Sequence, residues 1–338
     1  MNPPFSFSLR RSLSLPAAAA VLLGWLLGCS SGQPPSSSIE VAVKGAQAAA
    51  VSADGEYASI GSIHHGGSLW RLRDGERLYD WNHKAGEQTT IIASDFSADG
   101  RWALTADVYT MVLWSLQDGQ ATRYWNAPGE ILSVALSANG EFALLGLADH
   151  TAVLFDIQRG GIKRTFHLKN RVRSVALSDN SRLALTGSED YSATLWDVAS
   201  GNPLQQIMHD DDVQMVALSG DGELALSAAK YDKALLWHTR SGKVIGEVPL
   251  AAEKLNRGIR FTAASFSQDG KLLLTGRPDQ TVQLWDTRSL KQLQRWQLPK
   301  RDAWKPTGAA VLAVGFGKNA NQYIAVASDG FVHRLTGG

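Results

Sequence analysis

The sequence predicts an all-β fold, a seven-bladed β-propeller of four-stranded blades. Two spacings and one length carry that prediction. A small turn residue after Asp or Asn recurs at Gly55, Gly100, Gly140, Ser181, Gly222, Gly270 and Ala320. A large apolar residue follows 15 residues later, or 14 in the second case, at Trp70, Trp114, Phe155, Trp196, Trp237, Trp285 and Leu335. Eleven residues beyond the first six stand Trp81, Trp125, Phe166, Ile207, Val248 and Trp296. The segments between these marks are short and β-rich, and a period of roughly 40–50 residues built from four short strands is that of a propeller blade. From Ile39 onward, 300 residues divide into seven such units and form one domain.

Residues 1–28 stand outside the repeat and read as an export leader. Arg10 and Arg11 form a charged start, and Ser12 to Gly28 is a 17-residue apolar run, short for a membrane span. The run ends in Leu26-Leu27-Gly28-Cys29, and Cys29 is the chain's single cysteine. This ending resembles the lipobox of bacterial lipoproteins. The resemblance implies diacylglycerylation of the Cys29 thiol, cleavage before it and fatty acylation of the new N-terminus. Two or more acyl chains hold a protein stably at a bilayer, where one holds it only marginally. Arg10-Arg11-Ser12-Leu13 also bears a faint likeness to a twin-arginine signal. Ser30 after the cysteine implies, by the same resemblance, transfer to the outer membrane, facing the periplasm. Residues 29–38 then comprise the lipidated Cys and a polar Pro/Ser tether expected to be flexible. Removing the leader leaves 31 basic and 32 acidic residues. That near-neutral balance gives no reason to expect nucleic acid, which needs a clearly basic face.

The fourth repeat shows the expected strands most clearly. Val172–Leu177 is strand a, Arg182–Thr186 strand b, Ser192–Trp196 strand c and Leu204–Ile207 strand d, separated by polar turns. Turn glycines at Gly75, Gly119, Gly160, Gly201 and Gly242 each fall five residues after the strand-c aromatic, and Leu290 alone breaks the rule. Thr186, Asp190 and Trp196-Asp197 in this repeat, and Thr275, Asp279 and Trp285-Asp286 in the sixth, resemble the WD-repeat family. The resemblance implies that a Ser/Thr, a turn Asp, the strand-c Trp and a His form a hydrogen-bonded network in each blade. Only His209 is well placed for the histidine, with Ser227 and Trp237; there the Asp has slipped to Asp232.

The seventh repeat runs out after strand c, at Leu335. Ile39–Val43 is the only unassigned strand-like segment. It is expected to dock as the outer strand of blade 7, which removes an open edge and locks the ring.

Candidate chemistry is sparse. Gly315-Phe316-Gly317 through Ala320 matches a dinucleotide fingerprint in letters only, because no helix follows. His64-His65 has no evident third metal ligand, and Asp210-Asp211-Asp212 lacks the Gly and Glu frame of a Ca²⁺ loop. The eight periodic tryptophans are read as packing residues. No metal, cofactor or catalytic set is expected.

Breaks in the period point instead to a surface. The step from the strand-d residue to the next strand-a residue is 11 in mid-chain, but 15 for Trp81 to Phe96, 18 for Val248 to Phe266 and 20 for Trp296 to Phe316. All three are d–a connections and leave the ring on one face. Insertions confined to one face of a repeat protein often mark its binding side. The longest two carry Lys254, Arg257 and Arg260, and Lys300, Arg301 and Lys305 around Trp304. Trp304 lies off the periodic positions, and an aromatic beside arginines suits a protein-interface hot spot. The expected function is a non-catalytic scaffold for an envelope protein. Two alternatives are an accessory subunit of an outer-membrane assembly complex and a propeller-fold hydrolase or quinone-cofactor enzyme.

The anchor is testable alone. Cys29→Ser is expected to leave the precursor uncleaved and outside the lipidated, detergent-phase fraction. Normal maturation and membrane fractionation of that variant would rule out Cys29 as the anchor.

Overall fold

The computed structural model describes residues 32–231, 233–249, 261–302 and 308–337. Seven four-stranded antiparallel sheets follow one another around a ring. In each of the first six, strands a to d run in chain order, as in blade 4 with Val172–Leu177, Leu183–Ser188, Ser192–Asp197 and Pro203–Met208. Pro203 opens an outermost strand, where its missing N–H costs no ladder bond. The a strands face one another around the ring, and that of blade 7 (Val311–Phe316) meets that of blade 1 (Ala46–Val51). The seven-bladed expectation is therefore met.

Turn chemistry explains the repeated dipeptide. In blade 4 the Ser178 hydroxyl donates to Asn180 Oδ1 at 2.8 Å and accepts from Leu183 N–H at 3.0 Å, while Ser181 takes φ 55°. A left-handed residue at that point lets the hairpin close, so glycine is favoured there. In blade 7 the left-handed residue is Asn321, with φ 60°, and not Ala320 as the spacing suggested. Leu290 does adopt the glycine conformation, with φ 55°, and it packs onto the cluster around Trp285 and Phe261. Apolar contact offsets the backbone strain there.

Neighbouring blades are latched by side-chain hydrogen bonds. At the inner edge Val175 N–H donates to Ser133 Oγ (3.2 Å), Val216 N–H to Ser174 Oγ (3.0 Å) and Leu136 N–H to Asp95 Oδ2 (2.7 Å). Burial pushes the Asp95 carboxyl up to about 6, against the pull of its two backbone N–H partners. At the outer edge the strand-d tryptophans donate into the next blade: Trp81 Nε1 to Gly119 O (3.2 Å), Trp125 Nε1 to Ile157 O (2.9 Å) and Trp296 Nε1 to Thr336 O (3.1 Å). Trp81 also stacks on Trp114 of blade 2, centroids 5.3 Å apart and 12° from parallel. These side chains are blade-to-blade packing, and each paired indole avoids the ~1–3 kcal/mol penalty of a buried unsatisfied donor.

Ring closure follows the expected principle with shifted boundaries. The closing strand is Ser37–Glu40, not Ile39–Val43, and it pairs antiparallel with strand c of blade 7 (Phe331–Thr336), Ser37 opposite Arg334 and Glu40 opposite Phe331. Val41 and Ala42 leave the ladder as their N–H groups converge on Gly330 O at 2.9 and 3.1 Å. The segment expected as a flexible tether is docked where it is described. Gln33 N–H donates to Arg295 O (2.8 Å), Gln297 N–H to Gln33 O (3.0 Å) and Ser36 N–H to Arg334 O (2.8 Å). A Pro/Ser segment with little apolar surface holds here through backbone pairing with open sheet edges.

Gly330 is where this closure is most exacting. Its φ is 89°, and a Cβ there would lie 1.8 Å from Ala42 O. Gly330→Ala is expected to cost more than about 2 kcal/mol, read as a lowered denaturant midpoint with increased aggregation. A midpoint equal to wild type would show that this turn tolerates rearrangement.

Candidate partner-binding face

Because strands alternate in direction, the b–c turns and the d–a connections emerge on the same face of the ring. Blade-internal networks set the b–c turns. In blade 4 Trp196 Nε1 donates to Thr186 Oγ1 at 2.9 Å, while Asp190 accepts from Ser192 N–H (3.0 Å) and Lys169 N–H (3.0 Å). In blade 6 Trp285 Nε1 donates to Thr275 Oγ1 at 2.9 Å, and Asp279 pairs with the buried Arg277 at 2.8 Å. In blade 5 Ser227 Oγ lies 3.3 Å from Trp237 Nε1 and 2.9 Å from His209 Nε2. Asp232 lies outside the described residues.

The fullest network is one the spacing missed. In blade 2 Trp114 Nε1 donates to Thr105 Oγ1 (2.8 Å), which lies 2.9 Å from His83 Nε2; His83 Nδ1 is 2.7 Å from Thr110 Oγ1 and 3.6 Å from Asp107 Oδ2. His83 precedes Thr105 by 22 residues, whereas His209 precedes Ser227 by 18, so the longer first connection hides it when one counts back from strand a or b. Counted forward from the strand-d residue the two coincide: each histidine lies two residues after Trp81 or Ile207. Burial pushes the His83 imidazolium down to about 4, and the Asp107 charge opposes that only in part. A cavity of about 410 Å³ opens beside this network, bordered by Lys84, Glu87, Tyr109 and Tyr124.

Of the expected partner residues, Trp304, Lys305, Lys254, Arg257 and Arg260 lie outside the described residues, as does Cys29. Lys300 is exposed at the start of the 6/7 connection. Arg301 has a structural task that its loop position concealed. Its guanidinium donates to Asp329 O at 2.6 Å, pairs with the Glu40 carboxylate and lies over the Phe331 ring at 5.2 Å. It clips the closing strand to blade 7. A cavity of about 270 Å³ adjoins it, lined by Gln280, Asp302, Gly308 and Asp329. Burial holds the Asp329 carboxyl above its usual range, and the Arg301 charge opposes this.

The exposed apolar side chains add residues that the spacing did not single out. Among the described residues, eleven large apolar side chains are exposed, and five of them stand on the b–c turns or d–a connections: Val43, Ile63, Tyr109, Tyr191 and Tyr231. The other six lie on outermost strands, Met208 at the last position of its strand, next to the d–a connection. Tyr191, Met208 and Tyr231 border the acidic connection 210–212 between blades 4 and 5. Tyr231 is 66% and Met208 59% exposed. Burial, then the charges of Glu189 and Asp211, raise the Asp212 carboxyl. His64 and His65 sit on the b–c turn of blade 1, and no group of three or more metal-ligating side chains is present among the described residues.

The blade 2 network predicts a sign of pH dependence. A buried histidine with a depressed pKa stabilises the fold above its unfolded value near 6.5, and that stability is lost as pH falls toward about 4. His83→Gln is expected to lower stability at pH 7 by roughly 1–3 kcal/mol and to flatten the loss between pH 7 and 4.5, measured by denaturant unfolding. An unchanged slope would show that His83 does not titrate with folding.

The WD40 family model (WD domain, G-beta repeat) matches residues 161–197 and 257–286. These stretches hold Trp196-Asp197 with Thr186, and Trp285-Asp286 with Thr275. No curated protein matches the chain. The two matched stretches, in blades 4 and 6, are similar to WD40 repeats and lie within a closed ring of seven four-stranded sheets; the chain is a seven-bladed β-propeller, and WD40 propellers commonly serve as protein-interaction scaffolds.

Proposed function

We propose that this propeller is a non-catalytic docking platform for a protein of the bacterial envelope, anchored through lipid on Cys29 to the outer membrane and facing the periplasm. The observation that carries the docking reading is the grouping of Tyr109, Tyr191, Met208, Tyr231 and Ile63 on one face, the face from which the long connections emerge. Exposed aromatics with few rotatable bonds lose little entropy on binding and are frequent interface anchors. The anchoring reading is supported by Arg10-Arg11, the apolar run and the Leu26-Leu27-Gly28-Cys29 ending. Lys300 and the basic residues of the two longest connections would tune the rate and salt dependence of encounter, with Trp304 as a further apolar contact. An accessory role in an outer-membrane assembly complex is one specific form of this reading.

The test is photo-crosslinking in intact cells. A photoreactive phenylalanine analogue at Tyr191 or Tyr231 is expected to capture a discrete protein identified by mass spectrometry, and at Ile162 on an outermost strand to capture none. Capture that depends on Cys29 would tie docking to the membrane. Equal labelling from all three positions would overturn the assignment of the face.

A further inference from the structure

The docked N-terminal segment fixes more than ring closure. Gly32 lies against the backbone of the outermost strand of blade 6 (Gln292–Gln297). A Cβ on it would meet Gln297 N and Trp296 C at 2.8 Å and Arg295 O at 3.1 Å. Gln33 bridges to Trp296 in parallel, and the chain then passes to blade 7 through Ser36 and the closing strand. Gly32 and Gln33 therefore sit at the outer rim where blades 6 and 7 adjoin. Only Ser30 and Ser31 separate Gly32 from Cys29. Three Cα–Cα steps span at most about 11 Å. A lipoprotein with a long flexible tether samples all orientations, and this chain has no length for that.

We propose that the rim of blades 6 and 7 lies against the phospholipid surface, so that the ring is held in one orientation, with blade 3 farthest from the bilayer. This rests on the lipidation of Cys29 proposed above, and adds the lipid-facing surface. The residues on that rim suit the contact. Lys291 is an exposed cation, and Leu293 is an exposed apolar side chain, 47% accessible, on the outermost strand. The segment from Lys291 to Gln297 contains no carboxylate, and the Glu40 carboxylate of the closing strand is paired with Arg301. A basic and apolar strand segment of this kind is attracted to anionic headgroups. Held this way, the face bearing Tyr191 and Tyr231 stays open to a partner in the aqueous space.

The test uses the mature chain purified from membranes and reconstituted into phosphatidylethanolamine–phosphatidylglycerol vesicles. An azide-bearing phenylalanine analogue at Leu293 or at Ile162 of blade 3 carries a donor dye, and an acceptor dye is attached to lipid headgroups. Energy transfer is expected to be several-fold stronger from position 293. A flexible Gly-Ser insert of about ten residues after Ser31, reaching roughly 18 Å, is expected to abolish the difference. Equal transfer from both positions without the insert overturns the proposal. Intact mass identifies the other failure. If Cys29 carries no lipid in cells, the anchoring reading fails. The geometry is then tested by coupling the Cys29 thiol to a maleimide lipid in the same vesicles, with the same two outcomes deciding it.

Discussion

The structure depends on the strand that blade 7 lacks. Three strands of that blade come from the end of the chain, and the fourth, Ser37–Glu40, comes from the beginning. Without it, strand c of blade 7 would present an unpaired edge, and the ring would be held shut only by side-chain packing. With it, opening the ring requires breaking a ladder and moving both ends of the chain. Arg301, the Ser38–His333 hydrogen bond at 2.8 Å and the tight turn at Gly330 all serve this junction. An exposed ion pair alone contributes at most about 1 kcal/mol, so the guanidinium matters here through its carbonyl bond and its stacking on Phe331 as well.

Around the rest of the ring the blades share one solution with different degrees of polar support. Blade 2 has the full set of Trp114, Thr105, His83 and Asp107; blade 4 keeps the Trp196–Thr186 bond and uses Asp190 to cap the backbone; blade 7 has Leu335 and Ala325 at the equivalent places. The apolar clusters between blades persist throughout. Packing therefore specifies the ring, and the networks pin individual b–c turns. Those turns present the exposed tyrosines, which connects the local networks to the candidate partner face.

Much of this was legible because propeller blades are local. Each hairpin is built from neighbouring residues, so the step from a turn glycine to a strand-c aromatic survives in the sequence even where hydrogen-bonding residues have been replaced, as at Phe155 and Leu335. The need for a closing strand was equally legible, since a blade with three strands leaves an open edge. The candidate face was legible only in part. Long connections showed on which side the insertions lie, but Tyr191, Met208 and Tyr231 fall at ordinary positions in a repeat. Nothing in their spacing distinguishes them from core.

By itself the sequence determined the number of blades, the strand pattern, the packing role of the periodic tryptophans and the source of the last strand. Each of these follows from residues close in the chain or from counting strands. Tertiary structure decided what depends on contacts between distant residues. It showed that the segment before the closing strand is docked against blade 6, which polar composition alone would have made a flexible tether. It showed that Arg301 reaches across to Glu40, 261 positions away, and that His83 completes a network whose spacing an insertion had shifted. Backbone pairing with an open edge and charge pairing across a junction leave no local periodicity, so only the folded ring could reveal them.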